Sequence, residues 1–153
     1  MTQLIYTVAK AFIYQGDRLL LQLRDDNPHI TYPNTWALFG GMVEPEETPE
    51  QAIRRELEEE LTWIPPDVQF LSIWEERETL ATIHVFSVPL TVPVNQLHLT
   101  EGQALKLFAL DELTKFPVVP KILRMLPQAI AAIASPELTA AWQLHCSSSP
   151  SQP

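Results

Sequence analysis

Apolar and polar positions along the 153-residue chain fall into short runs with two different periods. Residues 4–14 (LIYTVAKAFIY) and 18–24 (RLLLQLR) are apolar and rich in strand-forming side chains, with Gln15-Gly16-Asp17 between them. A Gly-Asp turn joining two such runs predicts a β-hairpin. Residues 25–34 (DDNPHITYPN) carry two prolines, two asparagines and two aspartates, which predicts a loop. Trp36 to Phe39 is a short apolar run that ends in Gly40-Gly41.

The period then changes. Ala52, Ile53, Leu57 and Leu61 recur at helical spacing. Thr48 suits the N-cap, Pro49 the first helical position, and Gln51 the third, where it completes a capping box. Pro65-Pro66 stops any continuation. Residues 67–75 and 80–90 predict two strands joined by the charged turn EERE, and 105–110 another, with Asp111 as the N-cap of a short helical turn. Residues 120–134 predict a final helix with a kink at Pro127. The stretch SSSPSQP, 147–153, is too polar and proline-rich to pack and is expected to be disordered, which leaves one domain over 1–146. Helices separate the strands at only some points, so the reading is an α/β chain, a mixed sheet with helices packed on it.

Composition narrows the function. Hydrophobic residues make up 46% and charged residues 19%, with a mean hydropathy of −0.01, which is globular composition. The net charge is −9 and the sequence pI about 4.8. So acidic a surface repels nucleic-acid polymers and anionic membranes. Cys146 is the single cysteine, so no intrachain disulfide forms, and no thiol chemistry is signalled beside it. The first residues lack a basic leader pattern, and no apolar run approaches the roughly 18–20 residues a membrane span needs. A soluble, cytoplasmic protein is expected.

The helix carries the chemistry. With Glu56 at zero and about 100° per residue, Glu59 falls near about −60° and Glu60 near about +40°. Three carboxylates thus border one strip, beside the apolar face of Ile53, Leu57 and Leu61, while Arg54 and Glu58 read as an exposed i,i+4 ion pair. Like charges there oppose the helix, and the negative end of its dipole adds to the cost at Glu59 and Glu60. A hard divalent cation would reverse that, since Mg²⁺ takes carboxylate oxygen. On this segment alone a solvated, glutamate-rich face explains the strip equally well.

The flanking spacing decides between them. Gly41, five residues, Glu47, seven residues, then Arg55-Glu56-Leu57, one residue and Glu59-Glu60 resembles the Nudix box, the signature of the Nudix hydrolases. Thr62 stands where that family has glycine, Trp63 where it has an aliphatic residue, and Phe39 where a proline often precedes the double glycine. The resemblance extends over roughly residues 4–134. It implies the Nudix fold, an α/β/α sandwich around a mixed sheet, and hydrolysis of a nucleoside diphosphate linked to another group, using Mg²⁺ or Mn²⁺.

The resemblance also implies roles. Glu56, Glu59 and Glu60 would hold the metal, with the backbone carbonyl of Gly40. Gly41 and an Arg55–Glu47 pair would support the site. A later carboxylate often serves as ligand or base; Glu101 suits that place, with a solvated loop glutamate as the plain alternative and Glu75, Glu76 and Glu78 as competitors. Arg24 and His29 are candidates for substrate phosphate, with plain surface polar residues an equally good reading, and Tyr32, Trp36, Phe39 and Trp74 for a base, although aromatics there are more often core. His84, inside a strand, reads as structural. The partner expected is a small nucleotide; the nucleotide's identity and the oligomeric state, a homodimer included, stay open.

Overall fold

A computed structural model describes residue 3, residues 5–133 and residues 135–148. The hairpin forms as β1 (Tyr6–Gln15) and β2 (Arg18–Leu23), antiparallel through Ile13↔Leu20 and Gln15↔Arg18. Past Leu20 the two strands part. Into the fork runs the segment from Trp36 to Met42, whose first half, β3 (Trp36–Ala37), pairs with β2. Its second half, β4 (Phe39–Met42), pairs with β1 from Val8↔Met42 to Ala11↔Phe39. Leu38 bridges the two, and the buried Gln22 side chain donates to its carbonyl at 3.3 Å.

β5 (Gln69–Glu76) and β6 (Ala81–Pro89) form the second hairpin, and β6 runs parallel to β1 over its whole length. β7 (Ala104–Ala109) covers the far edge of β2. The result is a seven-stranded mixed sheet. One face is covered by α1 (Pro49–Leu61), whose Ile53, Leu57 and Leu61 are fully buried against Ala9, Ala11 and Phe39. Burial of each such side chain contributes about 1.5–3 kcal/mol. The other face packs Phe12, Trp74 and Phe108 beneath α2 (Pro120–Ala132) and α3 (Pro136–Ser148). The expected α/β/α layering is present.

The helix start matches the capping box: Thr48 Oγ1 accepts from Gln51 N–H at 3.1 Å and Gln51 Oε1 accepts from Thr48 N–H at 2.9 Å. Elsewhere the structure corrects the sequence reading. Arg54 pairs with Glu50 at 3.6 Å rather than with Glu58, one turn toward the start of the helix. Asp111 lies within the short helical turn Leu110–Glu112, and Glu112 reaches back to the Ala109 N–H at 2.9 Å. α2 runs through Pro127 and is not the last helix. α3 follows it and takes in Ser147 and Ser148, where the sequence predicts disorder; residues 149–153 lie outside the described residues. The missed signal was Ser135-Pro136-Glu137, where Ser135 Oγ accepts from Leu138 N–H at 3.3 Å ahead of a proline suited to a first turn.

At the end of α1, Thr62 takes the left-handed conformation (φ 53, ψ 40) that a glycine would adopt freely, and its N–H donates to Glu58 O. That conformation costs a β-branched residue about 1–2 kcal/mol. Thr62→Gly is therefore expected to stabilise the protein by about 1 kcal/mol and to raise Tm by about 2–4 °C in a thermal melt; a lower Tm would contradict the reading.

Candidate functional site

The site is built where β4 enters the fork. Gly40 has φ +135, and a Cβ on it would fall onto the Ala9 carbonyl, so glycine is required for β4 to lie this close to β1. A Cβ on Gly41 would stand 2.5 Å from Glu56 Oε1, so this glycine leaves room for the Glu56 carboxylate. The two glycines bring α1's carboxylates down onto the strand backbone.

Arg55 organises the outer part. Its guanidinium donates to both oxygens of Glu47 at 2.8 and 2.9 Å, to Glu56 at 2.9 Å, to Glu59 at 3.3 Å and to the Met42 carbonyl at 3.1 Å. Hydrogen bonds from Arg55, with one from the Glu44 N–H, hold the Glu47 carboxyl down at about 2. The loop before α1 is thereby tied to the helix and to β4. Glu59 remains exposed on the outer side of this cluster.

Glu60 is different in kind. Only 4% of it is exposed, and among the described residues its side chain accepts one hydrogen bond, from Gly40 N–H at 3.3 Å. Its pKa is pushed up to about 8, chiefly by burial, with Lys10 pulling it down and Glu56 and Glu101 adding to the rise. Lys10, directly opposite Gly40 in the β1–β4 ladder, donates to the Gly40 carbonyl at 3.3 Å, and burial lowers its pKa.

A strap closes the end of α1. The four last carbonyls of a helix have no partner within it. Here Glu58 O accepts from Thr62 N–H, Glu59 O from Thr100 Oγ1 at 2.6 Å, Glu60 O from Thr100 N–H at 2.9 Å and Leu61 O from His98 N–H at 3.0 Å. Gln103, donating to Leu23 O and Arg24 O, fastens the other end of the strap to β2. Glu101 lies between these anchors, close enough to Glu60 to act on its charge.

A cleft of about 480 Å³ opens beside the glycines, on the sheet face away from α1. Lys10, Arg24, Tyr32, Trp74 and Glu76 line it with Gly40 and Gly41. Arg24 also donates to Thr31 O at 2.7 Å, which ties down the 25–35 loop.

The structure separates the sequence candidates. Glu56 stands against Gly41 and Glu60 against Gly40, with Glu47 and Arg55 beside Glu56, while Glu101 acts on Glu60 through its charge. Arg24, Tyr32 and Trp74 reach the cleft. Trp36 and Phe39, candidates for substrate contact, do not: Phe39 is fully buried under α1, and Trp36 packs edge-to-face on Phe108 with centroids 4.9 Å apart. Strand alternation and the apolar fork draw both into the core. His29 is exposed on its loop, outside the cleft lining. His84 lies within β6 near the Phe70 ring, Cys146 is exposed on α3, and Glu75 and Glu78 are exposed around the β5–β6 turn. The sequence reading overlooked Lys10 and Thr100; a lysine interrupting the apolar run of a central strand was the available signal for the first.

Whether a divalent cation fits can be asked of the donors. Among the described residues no three acidic, histidine or cysteine side chains already converge as a ready-made cage. Mg²⁺ does not need one, since it takes one or two carboxylates, waters and substrate phosphate. Glu56, the sparsely bonded Glu60 and the Gly40 carbonyl are a hard-oxygen set of that size. The donors fit.

The NUDIX domain family model matches residues 6–129. The chain belongs to the Nudix family. Over 46 residues it is 50% identical to the nucleoside triphosphatase NudI of Escherichia coli O1:K1, a stretch covering 30% of this chain and 31% of that protein. The matched stretch thus spans about a third of the length of the curated relatives. Among solved structures, a MutT Nudix hydrolase from Burkholderia pseudomallei is similar with a TM-score of 0.69 and 25% identity, over 80% of this chain and 96% of that one. The Nudix domain of Shewanella oneidensis NrtR, solved with ADP ribose, shares the fold with a TM-score of 0.67 and 18% identity, over 81% of this chain and 85% of that one. No helix among the described residues of this Nudix chain is long and apolar enough to cross a membrane.

Glu60 gives the metal-free protein a specific pH dependence. Its folded pKa of about 8 lies above the ordinary 4.5, so its contribution is fully present below pH 4.5 and is lost as pH rises toward 8. In chelator-treated protein, Tm of the wild type is expected to fall relative to Glu60→Gln across that window. Parallel Tm curves for the two proteins would contradict the assignment.

Proposed function

We propose that this Nudix chain hydrolyses a diphosphate bond in a small nucleoside diphosphate derivative, with Mg²⁺, or Mn²⁺ in its place, as cofactor. The observation that carries the reading is the packing of Glu56 against Gly41 and of Glu60 against the Gly40 N–H, at the two glycines that also line the cleft with Lys10 and Arg24. Family membership and the likeness to NudI and to a MutT hydrolase support it.

In this reading Glu56, Glu60 and the Gly40 carbonyl hold the cation, with Glu59 at the outer edge. A bound Mg²⁺ supplies charge neutralisation at the phosphate oxygens and lowers the pKa of the attacking water. Arg55 keeps Glu56 and Glu47 in place, so the carboxylates need no rearrangement as charge develops. Glu101, whose charge acts on Glu60, would take the proton of the attacking water. Lys10 and Arg24 offset the phosphate charge that an overall acidic chain would otherwise repel. Tyr32 offers a flat surface to a base or to the second group, with the buried Trp74 behind it at the cleft wall.

Nucleotide sugars, modified nucleoside triphosphates and dinucleotides, each incubated with Mg²⁺, form the test panel. At least one is expected to yield phosphate-containing products, and Glu60→Gln to lower kcat at least about a hundredfold. Full activity of that variant, or no turnover of any compound, would overturn the reading. Tight nucleotide binding with no metal requirement and no product would instead mark a sensing domain.

A further inference from the structure

Lys10 occupies an unusual place. It sits in β1, the strand paired on both edges at the sheet's centre, between Ala9 and Ala11, which are both fully buried. A lysine there costs stability unless its ammonium has partners. Among the described residues its side-chain hydrogen bond is a single long one, 3.3 Å to the Gly40 carbonyl, although an ammonium has three protons to give. The strand register explains the contact: Lys10 and Gly40 are direct partners in the ladder, so the side chain has only to turn toward β4. The same side chain lines the cleft with two other cations, Arg24, whose Nε–H is on Thr31 O, and Lys121, whose Nζ donates to Glu75 O.

We propose that Lys10 competes with the divalent cation for the Gly40 carbonyl and, when it releases that carbonyl, becomes a ligand of the substrate's diphosphate. The inference rests on the assignment of Glu56, Glu60 and Gly40 as the metal site. Two positive charges cannot share one carbonyl at contact distance without strong repulsion. The four-carbon stem of lysine lets the ammonium leave a strand-bound partner without moving the strand, and a lysine ammonium serves as a point-charge ligand for phosphate. Cation and diphosphate binding would then favour each other through Lys10, in addition to any direct bridging between them. The placement also explains why a central strand keeps a charged residue that packing alone would exclude.

Calorimetric titration tests this on the full chain. Mn²⁺ is titrated into wild type, Lys10→Met and Lys10→Gln, each with and without methylenediphosphonate, a diphosphate that cannot be hydrolysed. Complexation of Mn²⁺ by the diphosphonate in solution is the same for every protein and cancels from the comparison. In wild type the diphosphonate is expected to tighten Mn²⁺ binding. In both variants Mn²⁺ alone is expected to bind more tightly, and the tightening by diphosphonate to shrink about 5–10-fold, within the usual range of coupling between sites. Thermal melts establish that the variants are folded, and the glutamine variant serves should the methionine variant not be.

A lysine acting only as a background charge would alter each affinity separately and leave the coupling factor unchanged. That result would overturn the proposal while leaving the metal site standing. Wild type that binds neither Mn²⁺ nor diphosphonate would overturn the metal site itself, and this inference with it.

Discussion

Everything at the site depends on the absence of side chains at Gly40 and Gly41. The fork between β1 and β2 is filled by a strand, and at Gly40 that strand lies so close to β1 that any Cβ would collide with the Ala9 carbonyl. One residue on, the missing Cβ is replaced by a carboxylate from a helix. A single close approach thus does two things: it completes the sheet, and it puts Glu56 and Glu60 against exposed backbone. The capping box and the fully buried Ile53, Leu57 and Leu61 fix the helix's position and rotation about its axis, so the carboxylates are held by the core rather than by loops.

The acidic surplus divides according to burial. Glu47 and Glu56 are compensated by Arg55, and Glu59 is open to solvent at the edge of the same cluster. Glu60 is buried with one hydrogen bond from a backbone N–H and is pushed toward its neutral form. Such a group is costly to folding, as is Lys10 opposite it. Both are what a site looks like when its residues serve a ligand rather than the fold. The strap from His98 to Gln103 adds Glu101 by satisfying the helix's last carbonyls, so a loop that looks featureless in sequence is fixed in place by the helix end.

Much of this was legible in the sequence for identifiable reasons. The helix start carried its own capping residues, the carboxylate strip followed from helical spacing, and the box spacing linked Glu47 to Arg55. What was not legible depended on tertiary context. Trp36 and Phe39 look like ligand contacts in a linear reading, yet the fork turns them inward. Thr100 has no motif, because its role exists only once α1 ends beside it. Thr62, which stands where the family has glycine, adopts the left-handed conformation that a glycine would. α3 has little amphipathic pattern, and its start was visible only as Ser135-Pro136-Glu137.

The central claim is that the strand backbone at Gly40 and the carboxylates of Glu56 and Glu60 form one cation site. Anomalous diffraction from crystals of the whole chain grown with Mn²⁺ tests it directly. The account predicts an anomalous peak held by Glu56, Glu60 and the Gly40 carbonyl, with the Lys10 ammonium no longer on that carbonyl. Ordered crystals with no peak there, or with Mn²⁺ bound only at other carboxylates, would contradict it.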